Sequence, residues 1–200
     1  MLKNLNYPLD FKFKITTLAS DFSITDRNGN YLAYVRQKKF RLKEDVVVYN
    51  NESRSQELFR IQANQWIDFN ASYSLTDLQN HRIFGKLARK GMRSIWKATY
   101  EVLDENNIAK FQITEDNAWI KVFDNMLGEI PVVGMLTGYI LNPTYSAKDA
   151  SGRTFFTLKK MPSFFGRRFQ LDRLVDIDDE DETLVVLSFL MMVLLERSTG

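Results

Sequence analysis

Hydrophobic and polar positions alternate with a period of two along most of this chain. In the stretch 108–115, Ala109, Phe111 and Ile113 fall on one side and Ile108, Lys110, Gln112 and Thr114 on the other. That is the pattern of a strand with one face buried and one face in water. In 45–49 both sides are apolar, Val46 and Val48 against Val47 and Tyr49, which predicts a strand covered on both faces. Segments 56–63 (QELFRIQA) and 117–124 (NAWIKVFD) are further strand candidates. Segments rich in Val, Ile, Phe, Tyr and Thr recur throughout, and the whole reads as roughly eleven or twelve strands. The four prolines, Pro8, Pro131, Pro143 and Pro162, fall between these segments. No low-complexity linker divides residues 1–200, so a single domain is expected.

The segments are punctuated by a repeated turn signal. FSITDRNG (22–29), YSLTDLQN (73–80), YEVLDENN (100–107) and YSAKDASG (145–152) each place Asp four residues after an aromatic and Gly or Asn three residues after that Asp. A carboxylate at the first position of a type I turn accepts hydrogen bonds from the amides ahead of it. Gly or Asn then takes the left-handed conformation that closes a bulged hairpin. Asp26, Asp77, Asp104 and Asp149 are therefore read as turn-makers rather than catalytic acids.

The period breaks at the end of the chain. From Leu184 to Leu195 only Ser188 is polar. As a helix this run is about 18 Å long, short of the ~30 Å needed to cross a bilayer core. Acids at Asp181 and Glu182 suit a helix N-terminus, and Arg197 suits a C-terminus. Apolar residues around every face predict a buried helix, about 183–197, in preference to a membrane insertion or an interface element. A closed barrel of a dozen strands needs something to fill it, and this helix is the candidate. The expected fold is mainly β, an antiparallel barrel enclosing a C-terminal helix.

Composition adds exclusions. There is no cysteine and one histidine, His81, inside a turn signal, so the usual thiolate, zinc and histidine-based nucleophile arrangements are not available. Gly128, Gly134 and Gly138 match neither a phosphate loop nor a dinucleotide fingerprint. No cofactor and no enzymatic activity are expected. The N-terminus lacks a secretory pattern, which makes the cytoplasm the default location.

Two regions carry the resemblance to a known family. One is FFGRRFQLDRLVDIDDEDETLVVLSFLMMVLLER (164–197), with Phe165-Gly166, an apolar strand through Phe169 and Leu171 to Asp172, an acidic linker and a hydrophobic helix ending in Glu196. The other is FSITDRNGNYLAYVRQKKFRLKEDVVVY (22–49). With the strand-rich body, they resemble the tubby C-terminal-like superfamily, closest to the phospholipid-scramblase-like and LURP-one-related proteins. The resemblance implies a twelve-stranded barrel threaded by its C-terminal helix. It also implies the option of binding phosphoinositide-type head groups through surface Lys and Arg. The chain departs from scramblases in lacking a Pro-rich N-terminal segment and a cysteine-rich palmitoylation stretch. Scramblases are also associated with a calcium segment beside the helix. Here Asp176, Asp178 and Glu180 alternate, but Asp181 and Leu187 stand where an EF-hand needs Gly and Glu. A looser cation site at these three acids remains as the alternative to an acidic helix cap.

Charge gives the functional lead. Residues 1–100 hold 17 Lys/Arg and 9 Asp/Glu, residues 101–200 hold 10 and 16. The basic residues cluster as Arg36, Lys38, Lys39, Arg41 and Lys43; as Lys86, Arg89, Lys90, Arg93 and Lys97; and as Lys159, Lys160, Arg167 and Arg168. Each cluster follows a repeated turn by one strand, which puts all three at the barrel end opposite the turns. Phosphate groups there would meet charge-assisted hydrogen bonds, bidentate from Arg, with Phe40, Trp96, Phe164 and Phe165 near an acyl boundary. The expected partner is an anionic phospholipid surface or another phosphate-bearing ligand. The alternative is a protein-interaction barrel docking a partner through edge strands or through PSFFGRRF (162–169). A pI near 8.7 disfavours a nucleic-acid partner.

Overall fold

The computed structural model describes residues 2–14, 21–37, 45–64, 71–90, 99–116, 144–162 and 168–199. The candidate strand 117–124 and the three glycines 128, 134 and 138 lie outside them. Twelve strands run in chain order: β1 (Leu9–Phe13), β2 (Phe22–Thr25), β3 (Tyr31–Gln37), β4 (Asp45–Tyr49), β5 (Glu57–Ala63), β6 (Ser72–Asp77), β7 (Arg82–Lys90), β8 (Thr99–Asp104), β9 (Ala109–Glu115), β10 (Thr144–Lys148), β11 (Thr154–Met161) and β12 (Arg168–Arg173). Each pairs antiparallel with its chain neighbours. β1 and β12 close the barrel, with Phe11 opposite Phe169 and Leu9 opposite Leu171.

The period-two pattern becomes an inside and an outside. Phe11, Ile24, Val35, Val48, Ile61, Leu75, Leu87, Val102, Ile113, Leu158 and Leu171 form one buried cluster with the C-terminal helix. The alternate positions carry Asp10, Lys12, Ser23, Arg36, Arg60, Glu101, Gln112, Thr157 and Gln170 on the outer wall. This is the reverse of a membrane-spanning barrel, whose outer band is apolar. β4 is buried at all five positions. Its Val46 and Val48 belong to the main core, while Val47 and Tyr49 join Tyr34 in a small second cluster.

The turn signal does what its chemistry requires in three cases. Asp26 Oδ1 accepts from the amides of Asn28 and Asn30 at 2.9 and 2.8 Å, and Gly29 sits at φ 79°. Asp104 holds Asn106 and Ile108 in the same way with Asn107 at φ 65°, and Asp149 holds Ser151 and Arg153 with Gly152 at φ 83°. The second turn differs from expectation. Asp77 accepts from Gln79 and Asn80, but His81, one residue beyond Asn80, takes the left-handed φ of 52°. That loop is one residue longer than its siblings. A further hairpin, β4–β5, uses Asn50 as acceptor for the Gln56 amide and Arg54 at φ 59°. The Asp-based pattern misses it because an amide oxygen fills the carboxylate's role.

The helix α1 spans Asp179–Thr199, about 31 Å. It begins four residues before the expected Thr183 because the acidic run supplies its own cap. Asp178 Oδ1 accepts from the amides of Glu180 and Asp181 at 3.0 and 2.9 Å. Residues Leu184–Leu195 are buried on every side. No helix among the described residues is long and apolar enough to cross a membrane. At Gly85 of β7 the wall lies close against the helix. A Cβ there would stand 2.7 Å from the Leu103 carbonyl oxygen and closer still to a Leu184 methyl. The N-terminal arm closes the same end: Leu2 and Leu5 are buried, and the Leu2 amide donates to Thr183 Oγ1 at 3.0 Å.

Candidate functional site

The barrel has two chemically different ends. One holds the five hairpin turns, the N-terminal arm and the start of α1; we call it the turn end. At the other, β1 runs out to β2, β3 to β4, β7 to β8 and β11 to β12.

The described members of the three basic clusters sort by strand position. Arg36 is next to last in β3, Arg89 and Lys90 end β7, Lys159 and Lys160 precede the last residue of β11, and Arg168 opens β12. All six lie toward the end opposite the turns. Lys38, Lys39, Arg41, Lys43, Arg93, Lys97 and Arg167 lie outside the described residues, as do Phe40, Trp96, Phe164 and Phe165. Lys86 does not belong with the six. It sits in the middle of β7, and its ammonium donates to Asn107 Oδ1 at 2.6 Å, in the β8–β9 turn. Sequence spacing grouped it with Lys90, but four residues along a strand span about 13 Å.

Alternation divides the six again. Arg89 shares the inward parity of Gly85 and Leu87, and its guanidinium lies over the Tyr100 ring at 6.0 Å. Lys160 shares the parity of Phe156 and Leu158 and stands opposite Phe169. These two are at the inner lip. Arg36, Lys90, Lys159 and Arg168 alternate onto the outer wall. Two of the outer four are neutralised. Arg168 makes a bidentate pair with Asp10 at 2.9 and 2.8 Å, and Lys90 pairs with Glu101. Arg36, Lys159 and Lys160 make no ion pair with a described residue.

The strand order fixes the spacing between clusters. β3, β7 and β11 are each four strands apart in a closed ring of twelve. Strands about 4.8 Å apart and tilted as closure requires give a ring roughly 23 Å across, which separates the clusters by about 20 Å. Hydrogen bonds act over ~3 Å, so one phosphate group cannot join two clusters. A flat charged surface can meet all three.

At the turn end, carboxylates predominate and most are already committed. Burial alone would raise Asp26, but hydrogen bonds from Asn30, Asn6 and Asn28 hold it below the usual carboxylate range. Asp77 follows the same logic, with burial outweighed by bonds from Asn80 and Gln79. Asp149 is lowered chiefly by the Ser151 hydroxyl. The three acids considered as a cation site go separate ways. Asp176 pairs with Arg173 at 2.9 Å, Asp178 caps α1, and Glu180 pairs with Arg82 of β7. Among the described residues no group of three or more His, Cys, Asp or Glu side chains is placed to hold a metal. The remaining acids seat the helix. Lys110 of β9 meets Asp181 at 3.0 Å, and Arg173 of β12 meets the buried Glu182 at 2.5 Å. Burial raises Asp181 despite Lys110, and the Asp181 bond raises Lys110. Three strands thus grip the first turn of α1 by charge.

Sequence reasoning did not find the one cleft described at this end. It is about 450 Å³ and lies between the N-terminal arm (Leu5–Tyr7), the β2–β3 turn (Arg27, Asn28) and the link from β12 to α1 (Arg173–Asp176). Its parts come from three distant stretches, and none carries a motif. Comparison with protein-family models, curated proteins and solved structures finds no match.

Proposed function

We propose that the chain is a non-enzymatic barrel of the tubby and scramblase-like kind that rests its basic end against an anionic phospholipid surface, as a peripheral protein of the cytoplasm. The observation that carries this reading is the placing of the basic strand ends of β3, β7 and β11 around one end, with the acid-rich turns at the other. Three clusters on a ring suit a plane of head groups better than a single buried ligand. Each cation near such a surface contributes ~1 kcal/mol at ordinary ionic strength. Arg36, Lys159 and Lys160, which lack described ion-pair partners, lose the least on meeting phosphate.

Co-sedimentation with phosphatidylcholine vesicles containing increasing phosphatidylserine tests this. Pelleting should rise with anionic lipid, fall with salt, and drop in the Lys159→Glu/Lys160→Glu variant. Pelleting that ignores lipid charge would sink the proposal. A second reading, a protein-interaction barrel, is favoured by Ile83, Ile108 and Leu174, which are large, apolar and about half or more exposed toward the turn end. A stoichiometric protein partner retained at high salt and lost in Ile83→Glu/Ile108→Glu would support that reading instead.

A further inference from the structure

We propose that the turn-end cleft is a binding site for a small phosphorylated molecule, held between Arg27 and Arg173. The site is independent of the basic end, which lies at the opposite pole of the barrel.

Arg173 is prepared for such a ligand. One side of its guanidinium is fixed by Glu182, buried within the barrel end, at 2.5 Å. Its central carbon lies over the Tyr7 ring, 5.0 Å from the ring centre, and Tyr7 in turn packs on Phe156. A guanidinium held in this way loses little freedom when it binds an oxyanion. Its other terminal nitrogen, Nη2, lies 2.9 Å from Asp176, and the Asp176 side chain is 92% exposed. Exposed ion pairs contribute ~0–1 kcal/mol, so Asp176 is a partner that an incoming anion can displace at little cost. Its carboxylate marks a direction from which a phosphate oxygen can reach Arg173.

Across the cleft, Arg27 is exposed and makes no ion pair with a described residue, although its backbone is anchored by its amide donating to the Asn6 carbonyl at 2.9 Å. The Asn28 side chain beside it is also without a described hydrogen bond, its backbone being held by Asp26. Two guanidinium groups and an amide on a rigid turn supply several donors for one phosphate. About 450 Å³ exceeds what inorganic phosphate fills and falls within the range of small-molecule sites.

The test is an amide NMR titration of the full chain with glycerol 3-phosphate, using glycerol at matched ionic strength as the neutral control. Saturable shifts at Asn6, Asn28 and Val175 are expected with the phosphate ester only. Arg27→Ala should weaken binding about tenfold or more, the loss of one charge-assisted contact. Asp176→Asn should tighten it several-fold, because the competing carboxylate is gone. Arg27 and Asp176 are exposed and outside the core, so both variants should stay folded. Shifts confined to the basic end, no change in Arg27→Ala, or weaker binding in Asp176→Asn would each overturn the proposal. Vesicle binding should be unchanged in Arg27→Ala, so failure of one reading leaves the other standing.

Discussion

At the scale of single residues, two positions make opposite predictions about the same interface. Gly85 has no side chain because Leu184 occupies the space where one would begin, with the Leu103 carbonyl behind it. A backbone oxygen cannot step aside as a flexible side chain does. Gly85→Ala should therefore destabilise the protein by about 1–3 kcal/mol, the usual range for overpacking, read as a lower urea midpoint at unchanged m-value. Ser188, also on α1, is fully buried and its hydroxyl has no hydrogen-bond partner. Ser188→Ala removes an unsatisfied polar atom and should leave stability unchanged or raise it by about 1 kcal/mol. A loss beyond ~1 kcal/mol would mean the hydroxyl has a partner after all. Ser188 shows in the sequence as the one polar residue of its run, but Gly85 does not announce itself. The aspartates of the turns do, because their work is done within five residues, whereas the need for Gly85 arises from a helix about a hundred residues further on.

At the scale of elements, the hairpins give the fold a defined acid sensitivity. Asp26, Asp77 and Asp149 are held below the usual carboxylate range, so the unfolded chain takes up their protons more readily than the folded one. Their contribution is fully present above the ordinary carboxylate value near 4 and is lost as pH falls through their lowered folded values. Asp181 acts the other way, since burial raises it and protonation relieves that strain on α1. Three groups act in this direction and one against it, and Tm is expected to fall as pH is taken from about 5 to about 2.5. In Asp77→Asn, which keeps an acceptor for the Gln79 and Asn80 amides, the fall should be shallower. An unchanged slope would show that the turn carboxylates do not set it. Most strands and four of the five turns were legible because alternation and local hydrogen bonding are both short-range; the β4–β5 turn, built on Asn50, was not. The start of α1 was not, since four aspartates within residues 176–181 qualify as caps and only the structure selects Asp178.

At the scale of the whole molecule, the closing of the barrel creates what no segment contains. Pairing β1 with β12 turns a row of hairpins into a ring. The ring sets the basic ends of β3, β7 and β11 a third of a turn apart, and it draws the N-terminal arm, the first turn and the β12–α1 link around one cleft. The apolar run could be read in advance as a filling in search of a container, because it is too short for a bilayer and too uniform for a surface. The cleft could not, since its walls meet only after closure. The container and its filling must then form together. Strand side chains alone leave a ring of this width hollow, and Leu190, with no exposed surface, stands in the middle of what fills it. Leu190→Asp would bury a carboxylate with no partner, costing several kcal/mol against a total stability of ~5–15 kcal/mol. The variant should lose its cooperative thermal transition and aggregate, whereas an exposed control such as Ile108→Asp should melt like the parent. A Leu190→Asp protein that stays soluble with a sharp transition would mean that the barrel stands without its helix, and the account of how this fold holds together would fail.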